Sequence, residues 1–188
     1  MNKLAYIIVT LALLCLPLYL FTKDSNTGYV SPVPLESNYT VIPVRLEIPK
    51  LNIKAEVEQV GMDSQKRMGV PKDADKVAWY QLGYKPGEKG SAVISGHLDR
   101  VGGSPAVFYK LSSLQKGDMV LVYGESQMLM FKVIEVQTYP YDQVPLQQVF
   151  NTKGKILLNL ITCAGVYDTI NQNYSERTVV YTEFVRDE

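Results

Sequence analysis

The sequence predicts a mostly β domain, a barrel or a sandwich with short helices, behind one N-terminal transmembrane helix. Three observations predict it. Short runs of alternating apolar and polar residues recur between positions 44 and 185, separated by Gly, Pro and Asp. That is the pattern of strands with one buried face. Tyrosine outnumbers phenylalanine 13 to 5, which suits strands with a partly exposed rim. Residues 4–21 carry no charge over 18 positions. A helix of that length rises about 27 Å, close to the ~30 Å hydrocarbon core of a bilayer.

The elements follow in order. Residues 1–3 make a cytoplasmic tip, because Lys3 and the amino terminus precede the apolar run and positive charge stays inside. Residues 4–21 are then a signal-anchor, with the rest of the chain outside the cell. A cleaved signal peptide is the rival reading. No small-x-small cleavage site closes the run, and the run is long for a signal core. Cys15 reads as a membrane-facing apolar residue. Leu13 and Leu14 stand where lipid modification needs small residues. Residues 22–42, with Ser31-Pro32-Val33-Pro34, read as an extracellular stalk. The folded domain is expected over 43–188, roughly 145 residues and enough for a core of its own.

Within that domain residues 44–48 alternate and stop at Pro49, and 53–60 alternate loosely. Residues 91–95 form a short β-prone run ended by Gly96. Pro105 to Leu114 is the clearest helix signal. Ser104 suits its N-cap and Pro105 its first position, while Val107, Phe108, Leu111 and Leu114 share one face. Residues 119–123 follow the turn Lys116-Gly117-Asp118, and 128–138 alternate at length. Residues 155–163 are nearly all apolar, the mark of a strand buried on both faces. Residues 177–185 alternate again.

Composition narrows the chemistry. Lys+Arg and Asp+Glu are both 19, so the basic excess of a nucleic-acid-binding chain is missing. Outside the membrane segment the only cysteine is Cys163 and the only histidine is His97. One cysteine makes no internal disulfide, and the pair makes no tetrahedral structural zinc site. No compact acidic cluster suggests calcium, so neither metal nor cofactor is expected.

Cys163 closes one strand and Arg177 opens the next, with 13 residues between them. In an antiparallel pair the two would stand opposite each other, with Cβ atoms ~5 Å apart. His97 follows a third strand end. If that strand runs parallel to the cysteine strand, all three residues meet at one edge. A thiolate attacks carbonyls, an imidazole moves protons, and a guanidinium steadies an oxyanion and lowers a thiol pKa. Each residue also has an ordinary reading. A lone strand cysteine is commonly inert core, a histidine after glycine a loop residue, and Arg177 beside Glu176 half of a surface ion pair.

Four stretches together resemble one family. Leu160-Ile161-Thr162-Cys163 is similar to the nucleophile signature of sortases, the membrane-anchored cysteine transpeptidases of Gram-positive bacteria. Ala92-Val93-Ile94-Ser95-Gly96-His97-Leu98-Asp99 resembles their histidine strand, and Tyr174-Ser175-Glu176-Arg177-Thr178-Val179-Val180 their arginine strand. Leu46-Glu47-Ile48-Pro49-Lys50-Leu51-Asn52-Ile53 resembles the opening of their domain. The resemblance spans about residues 43–185. The stretch from Gly102 to Leu111 looks most like class F, with class D next. Asn159 departs from the pattern, standing where a threonine commonly opens the cysteine motif. It lies on the strand face of Cys163, where a change alters packing without threatening catalysis.

The resemblance implies a closed eight-stranded sortase-type β-barrel. It implies cleavage of an LPxTG-like C-terminal sorting signal on surface proteins, a thioacyl enzyme on Cys163, and transfer to a cell-wall precursor amine. Carried over by position, Cys163 is the nucleophile, His97 the general acid/base and Arg177 the oxyanion and positioning group. Thr162 assists at the substrate through its backbone or hydroxyl. Two alternatives stay open on sequence: a cysteine hydrolase on the same scaffold, and a non-catalytic surface domain with Cys163 merely packed.

Overall fold

The structure, a computed structural model, describes residues 39–186. The membrane segment expected at 4–21 and most of the expected stalk lie outside the described residues. Among the described residues no helix is long and apolar enough to cross a membrane.

Eight strands form one closed barrel. They are β1 (Arg45–Ile48), β2 (Ile53–Val60), β3 (Val77–Tyr80), β4 (Gly90–Gly96), β5 (Met119–Tyr123), β6 (Met128–Pro140), β7 (Ile156–Asp168) and β8 (Asn173–Val185). A short helix, α1 (Leu146–Phe150), lies between β6 and β7. Around the wall the order is β1-β2-β3-β4-β7-β8-β6-β5, and β1 pairs with β5 to close it. Closure leaves no lateral edge to pair with a second chain. Two contacts are parallel, β2 with β3 and β4 with β7.

Alternation along the strands produces two apolar bodies. Inward residues such as Leu46, Ile48, Ile94, Val120, Phe131, Leu158, Leu160 and Val180 fill the barrel. Outward residues of three strands, Val93 on β4 and Val179 and Tyr181 on β8 with Ile161 on β7, form a second cluster against Val149 and Phe150 of α1. The outer face of β4, β7 and β8 is therefore an apolar floor, and α1 covers part of it.

The helix expected over 105–114 does not form. Those residues make turns and a single 3-10 turn, Leu111–Ser113. Phe108 N–H, which an α-helix capped at Ser104 would give to the Ser104 carbonyl, donates to His97 O at 2.9 Å, and Ala106 N–H donates to Leu98 O at 3.1 Å. The expected apolar face is nonetheless buried, because Phe108, Leu111 and Leu114 all enter the barrel core. Burial prevailed over the capping signal, since a chain of tight turns brings the same side chains inward without an α-helix. The stalk boundary also has packed residues before it. Val41 is buried and its N–H donates to Pro86 O at 3.0 Å, while the Tyr39 ring lies 4.8 Å from Phe184.

Gly96 lets Phe108 sit where it does. A Cβ there would come within 2.5 Å of the Phe108 ring, which has no solvent exposure. Overpacking of this kind costs about 1–3 kcal/mol. Gly96→Ala is expected to lower the urea midpoint accordingly, without changing the denaturant slope. An unchanged midpoint would show that Phe108 has room to move.

Candidate active site

The site is assembled by strand register. β7 and β8 are antiparallel, and Cys163 stands directly opposite Arg177. β4 runs parallel to β7, with Ser95 paired to Ile161. Continuing that register by two residues brings His97 level with Cys163. Side chains alternate between faces, so Cys163 falls on the outer side with Asn159 and Ile161. Arg177 falls there with Val179 and Tyr181. Thiol and guanidinium thus lie at one end of the apolar floor, on the outside of the barrel.

Each residue is held by its surroundings. His97 Nε2 lies 2.8 Å from Pro71 O. A carbonyl only accepts, so Nε2 carries the hydrogen in this bond and Nδ1 is left as the ring nitrogen with a lone pair when the imidazole is neutral. The guanidinium of Arg177 is gripped three times. One Nη1 hydrogen goes to Tyr174 O at 3.1 Å, another to Glu176 O at 2.8 Å, and Nη2 donates to Asn173 Oδ1 at 2.6 Å. Two of its five N–H groups remain for a ligand.

Cys163 is a half-buried free thiol. Burial pushes its pKa up, the facing Arg177 pulls it down, and the Asp99 carboxylate pushes it up again. The net rise keeps it a neutral thiol near pH 7, so attack calls for a proton acceptor at hand.

Thr162 points the other way. It is 4% exposed, and its Oγ1 donates to Gly96 O at 2.8 Å. The hydroxyl is committed to tying β7 to the residue before His97. Its contribution is to the spacing of the site, and substrate contact through this hydroxyl would require breaking that bond. Asn159 is fully buried beneath α1, and its Nδ2 donates to Val149 O at 2.7 Å. The departure from threonine thus alters how α1 is fastened, four residues from the thiol.

Two residues given no role by the sequence reading border the site. The Tyr174 hydroxyl donates to Asp99 Oδ2. Mainly because of that bond, its pKa is pushed up to about 12. Only the distance of Asp99 from His97, two positions along the chain, could have drawn notice to it. Among the described residues no group of three or more His, Cys, Asp or Glu is placed to hold a metal ion.

Cys163 and Arg177 stand within their strands rather than at the ends expected from sequence, since β7 runs on to Asp168 and β8 begins at Asn173. The closed eight-stranded barrel matches known proteins. The structure is similar to sortase C1 from Streptococcus agalactiae, with a TM-score of 0.60 and 22% identity, covering 77% of this chain and 67% of that one. It is also similar to sortase C-1 from Actinomyces oris, with a TM-score of 0.59 and 24% identity over 78% and 76% of the two chains. Sortase D of Bacillus subtilis is 30% identical over 122 residues, which are 63% of this chain and 52% of that protein. The chain therefore spans about half the length of the curated relative it matches. The sortase domain family model matches residues 46–185, the whole barrel from β1 to β8 with all three site residues inside it. The chain belongs to the sortase family.

Proposed function

We propose that the protein is a membrane-anchored cysteine transpeptidase. It cleaves an LPxTG-like C-terminal sorting signal and passes the product to a cell-wall amine. The observation that carries this reading is the register that sets Cys163 opposite Arg177 and level with His97 on the outer barrel face. A polypeptide in extended form can lie along that face, which the interior of a filled barrel would not admit.

The steps follow from the chemistry of these groups. Cys163 Sγ, its proton taken up by His97 Nδ1, attacks the threonine carbonyl of the sorting signal. The remaining N–H groups of Arg177 stabilise the oxyanion. As the tetrahedral adduct collapses, the Thr–Gly C–N bond breaks and the imidazolium gives its proton to the departing glycine amine. A thioester remains on Cys163. An incoming amine loses its proton to His97, attacks the thioester and expels the thiolate. Pro71 O holds the Nε2 hydrogen throughout, so one ring nitrogen does all the proton transfer.

The finer parts of the reading rest on sequence. The stretch at residues 102–111 favours class F with class D next, and the curated relative's name supports D. The solved structures inform the fold alone. Residues 1–3 and 4–21 serve as cytoplasmic tip and single-pass anchor, with residues 22–42 as the stalk of an extracellular domain at 43–188. Thr162 contributes to substrate binding through its backbone. No cofactor or nucleic acid takes part.

A transferase gains from a tether that concentrates exported proteins and lipid-linked amines beside it, whereas a hydrolase finds water everywhere. Added amine is therefore expected to raise peptide turnover and to enter the product. The measurement is the ratio of amide to free acid for the soluble domain and an LPxTG-like peptide, over rising amine concentration, with mass spectrometry of the Cys163 thioester. Free acid as the only product with several amines, glycine and diaminopimelate-type acceptors among them, would replace transfer with hydrolysis.

A further inference from the structure

A loop and a strand from distant parts of the chain meet above the site. Asp99 lies two residues beyond His97, in the segment leaving β4. Tyr174 lies at the start of β8, three residues before Arg177. The Tyr174 hydroxyl donates to the Asp99 carboxylate across 75 positions of sequence. The carbonyl of that same tyrosine accepts from Arg177 Nη1, and its neighbour Asn173 accepts from Nη2. The carboxylate therefore fixes the residue that, with its neighbour, fixes the guanidinium.

The rest of the hairpin is held by backbone pairing rather than by burial. Register between β7 and β8 is interrupted between Ala164 and Tyr167. Gly165 in that gap has φ +77, and its neighbour Val166 is 76% exposed. Beyond the gap, Tyr174 pairs with Tyr167, with ring centroids 5.1 Å apart. The strand that carries Arg177 is well packed only from Thr178 onward, where burial is continuous through Thr182. The bond to Asp99 adds a side-chain tie to the backbone pairs, Asp168 with Asn173 and Tyr167 with Tyr174, that hold the segment before it.

We propose that Asp99 and Tyr174 form a positioning pair that sets Arg177 against Cys163, coupling the histidine loop to the arginine strand. The pair touches no reacting atom. It acts through Arg177, and its effect on turnover rests on the transpeptidase reading above. Its effect on the thiol does not. The charged and titratable groups around Cys163 are Arg177, Asp99, Tyr174 and the level-standing His97. Tyr174 keeps its proton to about pH 12, so it remains a donor wherever the enzyme works.

The experiment reads two quantities on the soluble domain: peptide kinetics, and the pH dependence of Cys163 alkylation by iodoacetamide. A displacement of about 1 Å at a catalytic group costs on the order of 10² in rate. Tyr174→Phe is accordingly expected to lower kcat by about 10–100-fold with little change in KM. In the Arg177→Lys background the same change should lower it little further, because the group being positioned is already lost. Asp99→Asn keeps an oxygen to accept from the tyrosine and should retain more of the rate than Asp99→Ala. The alkylation profile should move in opposite directions. Tyr174→Phe loosens Arg177 and shifts it to higher pH, while Asp99→Asn removes a negative charge and shifts it to lower pH.

The pairing is wrong if Tyr174→Phe keeps wild-type kcat and an unmoved alkylation profile. It is equally wrong if the full loss persists on top of Arg177→Lys. Should Tyr174→Phe fail to fold, the Asp99→Asn and Asp99→Ala profiles decide, and identical profiles for the two overturn the proposal. Alkylation needs no peptide, so a failure of the transpeptidase reading leaves this test standing. A domain that turns over no peptide yet shows the opposed shifts would separate the two.

Discussion

Cys163→Ala is expected to leave a folded domain with no measurable turnover and no thioester in the mass spectrum. A methyl group has no lone pair with which to attack a carbonyl, so the covalent route disappears rather than slows. The fold should survive, because Cys163 sits half-buried at the end of the outer floor and belongs to neither apolar cluster. Peptide cleavage should be measured alongside the thermal midpoint. Turnover above a few per cent of wild type, in a variant that melts normally, would remove Cys163 from the mechanism and restore the reading of a packed thiol.

Arg177→Lys is expected to be nearly as damaging although the charge is kept. The guanidinium makes three bonds at once, to the carbonyls of Tyr174 and Glu176 and to the Asn173 amide oxygen, and still has donors for an oxyanion. An ammonium has three donors on one nitrogen and no planar fork. It can hold the hairpin or meet the substrate, but not both. Loss of one oxyanion donor costs about 10²–10³ in kcat. Melting should change little, since Arg177 projects from the wall and leaves the barrel filling intact. A lysine variant with the wild-type rate would exclude the role, as would one whose lost activity is matched by its unfolded fraction.

Most of the barrel is legible in the sequence for a physical reason. Strands with one buried face must alternate, and 44–48 and 128–138 do so in plain view. β3 is the strand that goes unread. Val77, Ala78 and Trp79 are buried in succession, so four apolar residues show no period to detect. The segment from Ser104 to Leu114 is misread for a related cause: turns and helices can bury the same spacing of side chains, and here the His97 carbonyl takes the Phe108 amide that a helix would have paired with Ser104. The ends of β7 and β8 also run past their apolar parts, because the hairpin beyond the barrel is held by backbone pairing rather than by burial. In the site, strand order and a 13-residue gap are enough to suggest that Cys163 faces Arg177. The Tyr174–Asp99 contact has no such signature. It joins positions 75 apart, and nothing local to either residue announces the other.

The parallel contact between β4 and β7 has a consequence for when the protein can act. Thr162 reaches Gly96 across 66 positions, and β5, β6 and α1 occupy the interval. Long closures of this sort come late and slowly in folding, since their entropy is spent before their contacts form. During synthesis His97 emerges well before Cys163, and Cys163 before Arg177. A partly made chain carries a thiol with neither base nor cation beside it, and its reactivity is that of any exposed cysteine. On the proposed mechanism acyl transfer becomes possible only once residue 177 is out and the wall has closed, so the chain is chemically silent while it is being made.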